Sequence, residues 1–544
     1  MTLNKIKSII RTLPILLSSF LFMGCQLSRD VSALPQNEWT TTNQARVSIH
    51  DPSVTSIKDD QGNEIFYLFG SHIAQAKTED FLAWEVPFVN EYENMDDNLL
   101  FGKTKENLAE TFKWAGYDDA DSAGGFNIWA PDVIWNDSYE WSDGSKGAYM
   151  LYYSASSTWR RSAIGFAVAK TIEGPYTYDS TIVYSGFTEK DSTDGSERNT
   201  NYGNTNLKRL IDDKSINGFS EKWVIEDGLT YNTDYAPNAI DPALFYDEDG
   251  RLWMTYGSWS GGIYILELDP KNGQPIYPGE DGLTSDGRTI DRYFGTKLSG
   301  GYHQSGEGAY IVYDEDTDYY YLFVTYGGLS AKGGYNMRLF RSESPEGPYL
   351  DAKGNSPIIE KGEQNIKYGI KLMGNYQFAH QRTGFRAAGH NSVIIDENGD
   401  WYLVFHTRFN NGSEVHEVRV HSMYMNEDGW PVPAPFEYRD NEEIAENMKD
   451  SQIAGRYEII NHGTDNGKTM IKSQVIELLE NGEIKGDLSG KWSHSKGAIT
   501  LTIGENIFKG TLLEQQIDAT GERTSLTFST IGNNNESIWG NKQD

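Results

Sequence analysis

Three acids and a histidine lie far apart in the chain yet share one local setting. Asp51 sits in HDP, Asp241 in IDP, Glu307 in GEGAY and His390 in GHNS. Each opens a short apolar segment that runs into an acidic or glycine turn and then an aromatic-rich strand. WAPD, Trp129–Asp132, holds the same place in a further copy. Carboxylates brought together from such places can divide acid–base work. One must stay protonated to give a proton to a leaving oxygen, a second must be ionised to activate water, and a third raises the pKa of the acid by like-charge repulsion. That division suits glycoside hydrolysis, where an inverting site needs its acid and base about 6.5–9.5 Å apart. Each residue also has a plainer reading. Asp before Pro starts turns, Glu307 between glycines suits a solvated loop, His390 suits a satisfied core histidine, and Trp129 suits ordinary core. The shared place in a repeat favours the joint reading.

The repeat that positions these residues occurs five times. Its aromatic strands are Ile65–Ser71, Ala148–Ser156, Leu252–Trp259, Tyr319–Gly328 and Trp401–Phe409. YDEDG and DENGD between strands are hairpin signals, and third strands follow in SAIGFAVAK, GIYILELD, NMRLFRS and EVRVHSMYM. Several strands per unit, five units and almost no helical periodicity predict an all-β, five-bladed β-propeller, in which the first strand of each blade lines a central channel. The openings Asp51, Trp129, Asp241, Glu307 and His390 are separated by 78, 112, 66 and 83 residues. The longest gap holds residues 186–235, polar and weakly periodic, which read as a surface insertion near one mouth of the channel. Pro431, Pro433 and Pro435 end the propeller. From Tyr438 onward, short alternating strands predict a small β-barrel or sandwich domain. The expected organisation is a signal over 1–25, a linker over 26–45, a propeller over 46–437 and a C-terminal domain over 438–544.

Composition narrows the partners. Net charge is −32, from 47 basic and 79 acidic side chains. Phosphate backbones and anionic headgroups repel such a chain, so nucleic acid is excluded as a partner and a neutral or cationic substrate is expected; solubility alone also accounts for the charge. The 33 Tyr and 14 Trp favour strands and sugar-binding surfaces. At the N-terminus, Lys5, Lys7 and Arg11 precede an apolar run from Thr12 to Met23, shorter than the roughly 20 residues a spanning helix needs. This is the form of a secretory signal. LFMGC has the look of a lipoprotein signal with lipid on Cys25, which would place the protein at the bacterial surface or outer membrane; an ordinary cleaved signal is the alternative. Cys25 is the sole cysteine, so no intramolecular disulfide forms.

The chain resembles glycoside hydrolase family 43, and within it the two-domain extracellular endo-1,5-α-L-arabinanases. The matching text is VSIHDPSV, NIWAPDVIWN, NAIDPALFYDEDGRLWMTYGSW, YHQSGEGAYI, GHNSVIID, VFHTRF and HEVRVHSMYMNEDGWPVPAPFEY. The resemblance implies Asp51 as general base, Glu307 as general acid, and Asp241 as the carboxylate that modulates the acid's pKa and orients substrate. It implies that His50, Trp129 and Asn238 contact sugar, with His406 and Arg408 in reach of the pocket. It also implies that His390 holds one largely water-coordinated Ca2+, with a plain structural histidine as the alternative. Ala309 stands where many relatives have Pro. The expected substrate is arabinan, cut inside the chain by a monomer; an exo-acting relative or a non-catalytic glycan-binding propeller are the rival readings.

Overall fold

The computed structural model describes residues 44–86, 98–118, 127–158, 160–517 and 523–543. The expected signal, Cys25 and nearly all of the linker lie outside the described residues.

The turn chemistry of the repeat is visible atom by atom. In the hairpin between Ala243–Tyr246 and Leu252–Ser258, Asp247 Oδ1 accepts the N–H groups of Asp249 at 3.1 Å and Arg251 at 2.8 Å, and Gly250 supplies φ +76°. Asp396 does the same for Asn398 and Asp400, with Gly399 at φ +85°. Asp59 does it for Gln61 and Asn63, with Gly62 at φ +88°. A short carboxylate stands in for the backbone acceptor that the tight turn lacks, and glycine takes the left-handed position. The strands behind these turns are aromatic and β-branched, and buried on both faces: Leu252–Ser258 is buried at all seven positions and Arg161–Ala169 at all nine.

The result is an all-β, propeller-like arrangement of separate antiparallel sheets. The first sheet contains Ser53–Lys58, Glu64–Gly70 and Ala74–Thr78. The second contains Trp129–Glu140, Lys146–Thr158, Arg161–Ala169 and Thr177–Tyr184. The third is built on Ala243–Tyr246, Leu252–Ser258, Gly262–Leu268 and Gly295–Ser299. The fourth contains Glu307–Asp314, Tyr319–Tyr326, Asn336–Ser342 and Ile370–Met373. The fifth is built on Phe385–Ile395, Trp401–Phe409, His416–Met425 and Pro431–Pro433.

The first strand of each sheet has a residue in the left-handed region at or near its start or, in the fifth sheet, at an irregularity within it: Asp51 (φ +54°), Ala130 (+38°), Asp241 (+56°), Gly308 (+58°) and His390 (+47°). In every case the N–H of that residue is taken by a side chain of the preceding sheet or the turn that follows its second strand. Ser71 Oγ accepts from Ala130 at 2.9 Å, Ser154 Oγ from Asp241 at 3.0 Å, Asp241 Oδ2 from Gly308 at 3.3 Å and Thr325 Oγ1 from His390 at 2.8 Å. His406 Nδ1, from the fifth sheet, accepts from Asp51 of the first at 3.2 Å. Val47 O accepts from Val418 N at 3.0 Å, and Val47, Ile49 and Val54 share a core with Val404, Val418 and Val420. First and last sheets are thus joined by polar and apolar contacts alike.

Two expectations need correction. Residues 186–235 are not a loose surface insertion. They carry the helix Leu207–Asp212, and Leu207, Leu210, Trp223 and Tyr231 enter the core shared by the second and third sheets. Trp223 is fully buried, and its indole N–H donates to Asp291 Oδ2 at 2.8 Å. Helical periodicity was also too faint to find Ala109–Ala115, a helix too short to show two turns of pattern, yet it buries Phe112 and Trp114. The C-terminal region is a closed barrel: Asn506–Gln516, Ala498–Ile503, Gly490–Ser495, Glu483–Gly486, Gln474–Leu478, Gly455–Asn461, Ser537–Lys542 and Thr524–Gly532 pair in that order, and the last strand pairs back to the first. Ile471–Lys472 leaves this barrel's sequence to pair in parallel with Tyr376–Gln377 at the edge of the fifth sheet. Asn37–Asp544 form one compact unit.

Replacing Trp223 by Ala removes a buried aromatic and leaves the Asp291 carboxylate short of a donor. We expect a loss of about 3–5 kcal/mol in denaturant unfolding; a change under about 1 kcal/mol would show that the segment is peripheral after all.

Candidate active site

The left-handed openings aim five chain segments into one narrow cavity of about 20 Å3, lined by Asp51–Ser53, Ala130–Asp132, Asp241–Ala243, Gly308–Tyr310 and His390–Asn391. Residues more than sixty positions apart in sequence therefore meet. Asp51 and Asp241 line this cavity; Glu307 does not, but it precedes Gly308, which does, and the three acids differ sharply in how they are held.

Asp51 is surrounded by donors. His50 Nδ1 lies 2.8 Å and His390 Nδ1 3.0 Å from Oδ1, and Ser71 Oγ donates to Oδ2 at 2.5 Å. Burial opposes its ionisation, but His390 and His50 outweigh that cost and hold the carboxyl well below the usual carboxylate range. Three of roughly four lone-pair directions are used, which leaves one on Oδ2 for a water. Asp241 and Glu307 go the other way. Burial pushes Asp241 upward; His390 opposes this, and the negative charges of Glu307 and Asp51 add to it. Burial likewise raises Glu307, against the hydrogen bond from the Tyr335 hydroxyl to Oε1 at 2.7 Å. Ser258 Oγ donates to its Oε2 at 3.3 Å. One ionised carboxylate and two that resist ionisation can serve a base and an acid at the same pH.

His390 faces all three acids. Burial disfavours its imidazolium, yet Asp51 first and then Asp241 push it up to about 9. His50 and His406 form the layer behind: their rings stack at 4.1 Å. Arg408 donates to His50 Nε2 at 3.2 Å, whereas His406, whose Nδ1 accepts from Asp51 N, carries its proton on Nε2, 3.3 Å from Arg408 Nη1. His50 is therefore the tautomer with its proton on Nδ1 and given to Asp51. His50, Asp51 and His406 lie close enough to share a metal, but the histidine nitrogens already face Asp51 or Arg408, so hydrogen bonding accounts for the cluster. The set around His390 fits a hard cation better. With Nδ1–H given to Asp51, a neutral His390 keeps a lone pair on Nε2, the cavity walls carry the carboxylates of Asp51, Asp132 and Asp241, and the buried amide of Asn391 has no hydrogen-bond partner at Oδ1 or Nδ2 among the described residues.

The other expected contacts are placed as follows. Trp129 opens its strand beside Ala130, half-buried, and its carbonyl accepts from Ser154 Oγ at 3.0 Å. Asn238 is buried and its Oδ1 accepts from Ser185 Oγ at 3.2 Å. Neither is among the residues lining the narrow cavity. Sequence reasoning missed Tyr335, Ser71, Ser154 and Thr325, which carry no motif of their own. The signal was positional: Ser71 directly follows the aromatic strand Glu64–Gly70, and Ser154 lies in the later part of Lys146–Thr158. Asp132, quoted only as part of WAPD, is buried and pushed up to about 6 by that burial. It accepts from Ser53 Oγ and from Leu244 N at 2.6 Å, tying three sheets together under the site.

The sequence pattern of glycosyl hydrolases family 43 matches residues 213–431, and that of the family's C-terminal lipocalin-like domain matches 435–540. The extracellular endo-α-(1→5)-L-arabinanase 2 of Bacillus subtilis is 38% identical over 510 residues, covering 91% of this chain and 93% of its own length. The extracellular endo-α-(1→5)-L-arabinanase of Thermotoga petrophila is 37% identical over 535 residues, covering 96% and 98%. The crystal structure of endo-1,5-α-L-arabinanase from Thermotoga petrophila superposes with a TM-score of 0.74 at 36% identity, covering 92% of this chain and 100% of that one.

The His390 imidazolium predicts a pH signature in metal-stripped protein. A histidine raised in the fold contributes stability that is fully present below its unfolded pKa of about 6.5 and is lost as pH rises through about 9. Replacing His390 by Gln should therefore destabilise by up to about 3 kcal/mol near pH 6, with the gap between variant and wild type closing by pH 10. Thermal unfolding across that range would show it, and a pH-independent gap would contradict it.

Proposed function

The chain belongs to glycosyl hydrolase family 43, and from that premise we propose that it is a secreted, inverting glycoside hydrolase that cuts α-1,5-linked arabinan inside the chain. The observation that carries the reading is the division of ionisation between acids that interact with one another: Asp51 held charged by three donors, Glu307 held toward its protonated form by burial. Asp51 takes a proton from water on one face of the furanose while Glu307 gives its proton to the departing oxygen on the other. Asp241, which accepts from Gly308 N next to Glu307, stands beside the acid, where each carboxyl opposes the other's ionisation, and orients sugar hydroxyls. His50, Trp129 and Asn238 are assigned to the sugar-binding surroundings, His50 through its grip on Asp51. Arabinan is neutral, in keeping with a net charge of −32. The relatives' extracellular names and the signal-like N-terminus favour export, with Cys25 as the point of lipid attachment and the monomer as the working unit.

We further infer that the five sheets are five blades of one closed ring. The cycle of side-chain caps supports this, because it runs from each sheet to the next and from the fifth back to the first. We assign a Ca2+ ion to the channel, held by His390 Nε2 with Asn391 and water oxygens. When bound, it supplies positive charge beneath the carboxylates.

Glu307→Gln should lower turnover on linear arabinan by at least 10³-fold, in line with loss of a general acid, while retaining binding to arabino-oligosaccharide in calorimetry. Wild-type protein that binds arabinan but cleaves neither polymer nor aryl arabinoside would establish a lectin instead. Early products from linear arabinan should be a spread of oligomers; monosaccharide alone from the first minutes would establish exo action. Chelation should reduce activity and lower the melting temperature, with Ca2+ restoring both; indifference of both to chelator removes the ion from the site.

A further inference from the structure

The C-terminal barrel reaches the acid through a single side chain. Its loop 462–468 crosses behind the turn that carries Tyr335. Contact is close enough that a Cβ on Gly334 would lie 2.8 Å from Asn466 O and 2.9 Å from Gly467 O. The Asn466 amide is bonded on both sides. Its Oδ1 accepts from Arg338 Nη2 at 2.9 Å and from Asn336 Nδ2 at 3.3 Å, and its Nδ2 donates to Asn365 Oδ1 at 3.1 Å.

Each partner leads to Glu307. Asn336 is buried and follows Tyr335 directly; Tyr335 donates its hydroxyl proton to Glu307 Oε1. Arg338 is wholly buried and fixes the same strand: its Nε donates to Asn336 Oδ1 at 2.7 Å, and its Nη2 also reaches the barrel carbonyls Thr464 O at 2.6 Å and Asp465 O at 3.1 Å. On the other side, buried Asn365 donates through Nδ2 to Ser305 O and, at 3.2 Å, to Ser305 Oγ. Ser305 lies two residues before Glu307, and its Oγ accepts from Gly327 N at 3.0 Å. The amide of one barrel residue thus holds both the segment that presents the acid and the segment that presents the acid's hydrogen-bond donor.

We propose that Asn466 is a positioning residue for the general acid, so that the C-terminal barrel completes the proton-donating half of the site. This rests on Glu307 being that acid. Proton donation tolerates misplacement of only about 0.5 Å, and Asn466 is the one side chain on which the two supporting paths converge. Removing its amide takes one acceptor from Arg338 Nη2, which keeps Thr464 O and Asp465 O, and one from Asn336 Nδ2, which keeps Tyr326 O and Gly334 O; both lose their side-chain tie to the barrel, and Asn365 is freed from it.

The test uses full-length protein and a series of aryl arabino-oligosaccharides whose phenol leaving groups span a wide pKa range. A poor leaving group needs the acid's proton; a 2,4-dinitrophenolate does not. Asn466→Ala should lower kcat on the poorest leaving groups at least tenfold with KM within twofold of wild type, and leave turnover of the dinitrophenyl substrate within twofold. Asn365→Ala, which cuts only the Ser305 path, should give the same graded pattern with smaller amplitude. Circular dichroism and thermal unfolding identify the folded fraction, to which kcat is referred. A loss equal across the series, or none, overturns the proposal. Glu307→Gln must show the graded pattern at its steepest. If it does so while Asn466→Ala is flat, the positioning role fails and the acid assignment stands; a flat Glu307→Gln series removes the acid assignment and the proposal with it.

Discussion

The site depends on a backbone constraint repeated in or beside the first strand of every sheet. A non-glycine residue in the left-handed region costs on the order of 1–2 kcal/mol, and its N–H points away from its own ladder. Asp51, Ala130, Asp241 and His390 all accept that conformation, and Gly308 shares it. They persist in it because a side chain from the preceding sheet takes each N–H. The kink turns the side chain of the opening residue inward, where a regular strand would lay it against a neighbouring sheet. Packing between sheets and aim within the channel are therefore one problem solved by the same hydrogen bonds. Strain that would be a defect in an isolated hairpin becomes the means of collecting chemistry from segments remote in sequence.

The second level of control is the number of donors given to each acid. Asp51 and Asp241 are the same residue type, in the same tripeptide setting before Pro, at the same place in the repeat. Asp51 receives two imidazole N–H groups and a hydroxyl; the hydrogen bond recorded for Asp241 among the described residues is a 3.3 Å contact from Gly308 N. Desolvation acts on both. The donors offset it at Asp51 and leave it dominant at Asp241, so identical side chains are driven in opposite directions. His390 mediates between them: in the metal-free site its positive character is sustained first by the ionised Asp51 to which it is bonded.

Much of this was legible in the sequence because repeats announce themselves. Aromatic strands recur, the turns are written in Asp and Gly for reasons of local hydrogen bonding, and equivalent openings carry Asp51, Asp241, Glu307 and His390. What could not be read was whatever depended on contacts between sheets. Ser71, Ser154 and Thr325 are ordinary small hydroxyl residues in or just after a strand until a neighbour's N–H arrives. Tyr335 lies 28 residues from the carboxylate it serves, with nothing periodic to link them. Residues 186–235 look polar because their large apolar residues, among them Phe187, Leu207, Leu210, Ile216 and Trp223, are scattered among Asn, Asp and Gly, yet these are residues that enter the core. Hydropathy averaged over such a segment reports its exterior and misses its anchors.

The pairing of Ile471–Lys472 with Tyr376–Gln377 has a consequence for how this architecture can be taken apart. An exposed strand edge offers unsatisfied N–H and C=O groups to any passing chain. Here the fifth sheet ends on a strand borrowed from the polypeptide that goes on to build the barrel. Trimming the chain after Pro435 would strip that cover and uncap a template for intermolecular β-sheet growth. The two halves are thus not interchangeable cassettes: recombination that brought in a foreign appendage would inherit a sticky flank unless the newcomer carried its own short strand in parallel register.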